Sequence, residues 1–348
     1  MTRSRAAFSN SVTKGPENLF LPEESDRTLH HVKDRNGEII KFQNPYPSFE
    51  SPSSIFQMMR KMFKAQREGK LSQPDCTSVK LPVVLATFLS SRFNDNALRA
   101  TWLGHACYYV EFPSGLRVLF DPVFEDRCMP VQWAGHKRFT RPPCSIGDLP
   151  FVDAVVISHS HYDHLSHRSV LKIKHHQPEA HFFVGLGLAE WFRQCSISKV
   201  TELDWWQNVE LELESAETTC RKVGESRHIT ARFSCLPSQH SSGRTLTDRD
   251  STLWASWAVS SGSKSVWFAG DTGYRTVPEL PPDADDYGPE YMSLPRCPYF
   301  AQIGQLRGPF DLSLIPIGAY KPRFLWSPLH ASPRDASDGY TLGHLGPY

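Results

Sequence analysis

The chain has almost no charge imbalance: 38 Lys and Arg against 37 Asp and Glu leave a net +1 over 348 residues. Nucleic-acid binding needs a basic surface to neutralise phosphates, so that class of partner is not expected. No apolar run reaches the roughly 18 residues of a membrane-crossing helix, and no apolar core of a secretion signal is present. Close cysteine pairs are missing too. Cys76, Cys107, Cys128, Cys144, Cys195, Cys220, Cys235 and Cys297 are scattered without a CxxC, which argues against a disulfide framework and for reduced, mostly buried thiols in an intracellular protein. Acids are missing from the first 16 residues, which hold Arg3, Arg5 and Lys14. That composition suits mitochondrial import and a disordered tail equally, so cytoplasm and mitochondrion both stay open.

Metal-capable side chains are concentrated at one point. Ala154-Val155-Val156-Ile157 reads as a buried strand, and Ser158-His159-Ser160-His161-Tyr162-Asp163-His164 follows it directly. Extended backbone sends residues i and i+2 to the same side, so His159 and His161 can reach one ion together. Asp163 and His164 fall where the chain turns towards a helix and offer an oxygen and a nitrogen to a second ion. Imidazole with carboxylate is the ligand set of zinc and similar borderline metals. Two ions need further ligands, and two more strand ends supply them: Phe233 to Gln239 runs into His240, and Val266-Trp267-Phe268-Ala269-Gly270 runs into Asp271. Taken alone, His240 could equally be a surface histidine and Asp271 a turn cap.

Residues 1 to 40 are polar and lack an apolar period, so a flexible arm is expected there. In an extension over 41 to 96, Ile55, Phe56, Met59, Met62 and Phe63 recur at helical spacing beside Arg60, Lys61, Lys64, Arg67 and Lys70. Such a helix packs on the catalytic domain or lies in a membrane interface with its cationic face towards headgroups. From residue 97 to 348, short apolar strands alternate with helical stretches, which fits a layered α/β sandwich. Six prolines between 278 and 298 predict an irregular loop.

Six segments, in order, resemble the metallo-β-lactamase superfamily and, within it, the N-acyl-phosphatidylethanolamine-hydrolysing phospholipase D family. They are Thr101-Trp102-Leu103-Gly104-His105-Ala106, Phe120-Asp121-Pro122-Val123-Phe124, Leu203-Asp204-Trp205-Trp206, Pro237-Ser238-Gln239-His240, Phe268-Ala269-Gly270-Asp271-Thr272-Gly273-Tyr274 and Ile315-Pro316-Ile317-Gly318-Ala319-Tyr320. Phe42-Gln43-Asn44-Pro45-Tyr46-Pro47 is similar to the family's N-terminal segment. The resemblance implies a four-layer αββα sandwich with an N-terminal extension. It also implies cleavage of N-acyl-phosphatidylethanolamine to phosphatidic acid and an N-acylethanolamine, and hence a phospholipid substrate, a peripheral membrane location and two zinc ions.

The expected division of ligands places His159, His161 and His240 on one ion, Asp163 and His164 on the other, and Asp271 between them. Two ions about 3.5–4 Å apart activate water and neutralise phosphate charge, so no side-chain nucleophile is needed. Asp163, Asp271 and His330 are expected at the reacting centre, His330 because it matches a family histidine near the metals, and His105 is expected beside the site without ligating. The family pattern after His330 is a helix, then a strand ending in a last zinc histidine. Only His344 stands in that place, 14 positions on. Either it reaches the second ion by a shortened connection, or the chain is cut short and that ion lacks a ligand; the Asp338-Gly339 turn signal favours the second. A soluble lactone or ester as substrate, and an inactive fold-retaining binding protein, are the competing readings, and dimerisation is left open.

Overall fold

The computed structural model describes residues 8–15, 19–50, 55–71, 81–93, 95–133, 135, 137–215, 228–281 and 284–345, with backbone alone at 55, 56, 58, 215 and 342–345. Its first elements are β1 (Phe8–Lys14), β2 (His31–Lys33), β3 (Ile39–Phe42), α1 (Ile55–Arg67), β4 (Arg99–Gly104), β5 (Cys107–Glu111) and β6 (Arg117–Phe120). The middle holds β7 (Ala154–Val156), α2 (His167–His176), β8 (His181–Gly185), α3 (Ala189–Gln194), β9 (Val200–Leu203), β10 (Asn208–Ser215) and β11 (His228–Leu236). The last are β12 (Ser256–Ser261), β13 (Lys264–Phe268), α4 (Tyr299–Arg307), β14 (Leu312–Leu314), α5 (Arg323–Trp326) and α6 (Pro333–Leu345).

Strands β4 to β9 form one six-stranded sheet in sequence order, and β1-β10-β11-β12-β13-β14 form the second. Their facing sides share one core, where Phe183 stacks on Phe233 at 4.0 Å between ring centres and Phe120 meets Phe268 at 4.8 Å. Period-2 alternation sends the neighbours of these residues outwards. Leu119, Val155 and Phe182 pack with Val170 and Ile173 of α2 and Phe192 of α3, while Trp267 packs on Phe300 of α4. In α6, Gly339 has no side chain to collide with Phe300, which lies 2.6 Å from where a Cβ would sit. The result is the αββα sandwich expected from the resemblance. Within the first sheet, β6, β7, β8 and β9 run parallel. The C-terminal ends of β6 and β7 therefore open on the same edge, and Asp121 and His159 follow directly.

Among the described residues of 1 to 40, paired strands stand where a flexible arm was expected; residues 1–7 and 16–18 lie outside the described residues. β1 pairs antiparallel with β10 from Phe8 opposite Ser215 to Lys14 opposite Val209, and β2 pairs with β3. Phe8 is buried, with the Arg92 guanidinium 4.7 Å over its ring. Strand pairing runs through main-chain groups, so a polar segment can close an open edge without an apolar pattern. The proline-rich segment carries only a short 3-10 turn, Pro289–Tyr291, among its described residues. All six described cysteines are free thiols; Cys76 and Cys220 lie outside the described residues.

Candidate metal centre

β7 stops after three buried residues, and the chain leaves the sheet as the loop that carries His159, His161, Asp163 and His164. His159 and His240 are 1% exposed. His159 Nε2 lies 2.9 Å from His161 Nδ1, and His240 Nε2 lies 3.4 Å from the same atom, so three imidazole nitrogens face one point. Burial pushes the pKa of each down, furthest for His159 and His240. All three are therefore neutral near pH 7, with lone pairs free for a cation. The Leu329 carbonyl accepts from His240 Nδ1 at 3.0 Å, which leaves Nε2 for that point.

A second nest adjoins the first. His164 Nδ1 meets Asp121 Oδ2 at 2.6 Å, and its Nε2 lies 3.2 Å from Asp271 Oδ2 and 3.9 Å from Asp163 Oδ2. Burial opposes a charge on His164, yet Asp271, Asp163 and Asp121 together hold its pKa well above that of a free imidazole. Asp271 is buried as well, but the histidines around it hold its carboxyl far below the usual range. Three carboxylates around one imidazole ask for a cation. His164 Nε2, buried without a hydrogen-bond partner, is the atom a metal would take, so this donor set fits two divalent ions. Asp271 Oδ2 also lies 3.9 Å from His240 Nε2 and so stands between the nests.

The frame around these groups is tight. Gly270 takes φ +60°, and a Cβ there would come within 2.6 Å of Ser158 Cβ; a Cβ on Gly273 would lie 2.0 Å from the Pro328 carbonyl oxygen. Only glycine permits both approaches. His105 (φ 52°) and Asp121 (φ 40°) hold left-handed backbone that costs other residues energy, and both sit at the site.

The structure thus brings His159, His161, Asp163, His164, His240 and Asp271 into one cluster. His330 Nδ1 lies 3.7 Å from Asp271 Oδ2, and the exposed His105 reaches Asp163 at 3.3 Å. His344 falls in the last described turn of α6, and its side chain lies outside the described residues; no strand separates it from His330.

Several supporting groups were not assigned from the sequence. Asp121 accepts from the Ser158 amide at 2.7 Å and from its hydroxyl at 2.6 Å, besides holding His164. The Arg244 guanidinium donates to the Ser160 and Leu165 carbonyls, both at 2.8 Å, and stacks over Tyr162, so it holds the histidine loop from outside. A signal for Asp121 existed: it follows the apolar strand β6 as Asp271 follows β13. Arg244 had none.

A family model described as a β-lactamase superfamily domain matches residues 116–341. N-acyl-phosphatidylethanolamine-hydrolyzing phospholipase D 1 of Caenorhabditis elegans is 34% identical over 319 residues, 88% of this chain and 78% of the worm protein. The chain belongs to this phospholipase D family of the β-lactamase superfamily. A second relative, an uncharacterised protein of Mycobacterium tuberculosis, is 34% identical over 82% of this chain and 65% of its own length. A third, the mitochondrial N-acyl-phosphatidylethanolamine-hydrolyzing phospholipase D of Saccharomyces cerevisiae, is 31% identical over 68% of this chain and 43% of its own. This family member therefore spans just under two thirds of the mycobacterial relative and under half of the yeast one. Membership makes it a metal-dependent hydrolase in fold. No described helix is long and apolar enough to cross a membrane.

Proposed function

We propose that the protein is a zinc-dependent phosphodiester hydrolase that cleaves N-acyl-phosphatidylethanolamine to an N-acylethanolamine and phosphatidic acid. The observation that carries the metal part is Asp271 Oδ2, 3.2 Å from His164 Nε2 and 3.9 Å from His240 Nε2, between two sets of nitrogen and oxygen donors. His159, His161 and His240 would hold one ion and Asp163 and His164 a second, with Asp271 standing between the two sets; His344 is left as the candidate for a last ligand of the second ion. Two bound zinc ions supply an activated water at neutral pH and neutralise charge on the phosphate oxygens. His330, 16% exposed at its side chain beside Asp271, orients the phosphate or the departing group. His105 fixes the Asp163 carboxylate. The substrate rests on the activity named for the worm and yeast relatives.

The reading places the protein inside the cell at a membrane surface, cytoplasmic or mitochondrial. Met59 and Phe63 of α1 are 50% and 66% exposed beside basic residues, an arrangement suited to a headgroup interface. Met129, Trp133 and Phe139, on the loop that follows Asp121, are exposed as well.

The purified protein is expected to hydrolyse detergent-dispersed N-acyl-phosphatidylethanolamine and to leave soluble lactones untouched. Lactone turnover with an inert phospholipid would overturn the substrate, and absence of stoichiometric metal would overturn the chemistry. His344→Ala decides whether α6 supplies a last ligand: loss of one zinc ion per chain shows that it does, and unchanged stoichiometry and activity exclude it.

A further inference from the structure

Residues 30 to 48 lie ahead of the matched domain, yet they touch the loops that carry His240, Asp271 and His330. Asn44 Nδ2 donates to the His240 carbonyl at 2.7 Å. Ser48 Oγ, fully buried, donates to Gln239 Oε1 at 2.6 Å, and Gln239 Nε2 donates to the Pro328 carbonyl at 2.9 Å. The Gln239 amide donates in turn to Thr272 Oγ1 at 3.0 Å. Gln239 thus ties the N-terminal segment to the turn before His330 through its buried side-chain amide, and to the residue after Asp271 through its main-chain N–H. The Ser48 carbonyl closes the junction by accepting from the Thr276 amide at 2.8 Å.

The other end of this segment is pinned as well. His30 Nε2 and His31 Nε2 contact separate oxygens of Asp204 at 2.7 and 2.8 Å, and the His30 ring stacks on Trp205 at 4.0 Å. Asp204 follows β9, and the Trp206 amide donates to the Cys235 carbonyl in β11, the strand that leads to His240. Midway, the Phe42 amide donates to the Asp250 carbonyl at 2.8 Å. Two histidines and a carboxylate could themselves suit a cation. Each contact is at hydrogen-bond distance, and the zinc count of an Asp204 variant separates a clamp from a metal site.

We propose that Asn44 and Ser48 are positioning residues for the metal centre, on a strap clamped to the core by His30, His31 and Asp204. Asn44 fixes the backbone of His240 while the Leu329 carbonyl fixes its ring, so the imidazole stays aimed without rearranging when an ion arrives. The inference rests on the reading of His240 as a metal ligand. Groups that orient a ligand carry part of its metal affinity, and losing one costs roughly 10- to 100-fold.

The test is zinc affinity of the full chain by competition with a graded chelator, with melting of the metal-stripped protein measured in parallel. Asn44→Asp, which keeps the size and loses the donor, and Ser48→Ala are expected to weaken the tighter-bound zinc roughly 10- to 100-fold while metal-free melting stays close to that of the unaltered protein. Unchanged chelator curves in both variants overturn the proposal. So does a fall in metal-free melting large enough to account for the whole loss. Asp204→Asn is expected to weaken the same ion by a smaller factor; loss of a third equivalent of zinc in that variant would make the clamp a metal site and overturn its role here. His240→Ala separates the two readings: if it keeps both ions at full affinity, the ligand assignment has failed and not the strap.

Discussion

Asp121 and Leu329 do the same work at different histidines. Each accepts from a Nδ1, at 2.6 Å on His164 and 3.0 Å on His240, so each decides which nitrogen faces a metal. Asp121→Asn keeps the shape but no longer favours that tautomer, and zinc affinity of the second ion is expected to fall roughly 10- to 100-fold in chelator competition. Asp271→Asn removes the charge between the nests. Activity is expected to fall by orders of magnitude with circular dichroism unchanged, and a fully active variant would sink the bridging role. A third residue sets a pH dependence away from the metals. Burial, with Lys199 nearby, pushes the His181 pKa from 6.5 to about 4. Between those values the unfolded chain binds the extra proton, so the stability this neutral histidine contributes is complete above pH 6.5 and is lost as the pH falls to 4. The contribution is at most roughly 3 kcal/mol. Urea unfolding of the metal-stripped protein should show His181→Gln losing less stability than the parent over that window. The histidine loop, His240 and Asp271 were legible in the sequence because scarce residue types stand at strand ends. Asp121 carried the same strand-end signal more weakly, as a lone carboxylate that also reads as a turn former, whereas Gln239 and Arg244 gain their roles only from tertiary partners.

At the scale of elements, strands inside the two sheets were legible because burial imposes their apolar pattern. β1 was missed for the opposite reason: it covers the β10 edge with its main chain, and its side chains alternate only weakly. The polar start of the chain therefore carries structure. No proposed ligand lies in residues 1 to 40, and sequence alone suggests that their loss leaves the metal site intact. With β1 and β2 in place, deletion is instead expected to expose the β10 edge, promote association and weaken zinc binding through the lost His30 and His31 contacts. A monomeric deletion variant with unaltered metal content would contradict that expectation. α1 answers to a different test. Its buried Ala65 faces the protein, while Met59 and Phe63 face outwards. Transfer of such side chains from water contributes on the order of 1.5–3 kcal/mol each, so Met59→Ser with Phe63→Ser is expected to weaken vesicle binding at least about tenfold. Hydrolysis of detergent-dispersed substrate should persist, and unchanged sedimentation with vesicles would remove α1 from the interface.

Across the whole molecule, two sheets packed face to face bring the ends of β6, β7, β11 and β13 to one edge, and those ends carry Asp121, the histidine loop, His240 and Asp271. That convergence explains how side chains over a hundred residues apart in sequence form one cluster. It also explains why the αββα architecture could be expected from order of motifs, whereas the strap over the site could not: its contacts are single hydrogen bonds between loops. The activity proposed for the protein is metal-dependent cleavage of an N-acylated phospholipid. The most direct measurement is phosphatidic acid released from N-acyl-phosphatidylethanolamine and from ordinary phosphatidylethanolamine, each with and without chelator, on protein of known zinc content. The expected result is about two zinc ions per chain, release from the N-acylated lipid in clear preference, abolition by chelator and recovery with added zinc. Release that survives complete removal of metal, or no release from the N-acylated lipid by protein carrying both ions, would contradict it.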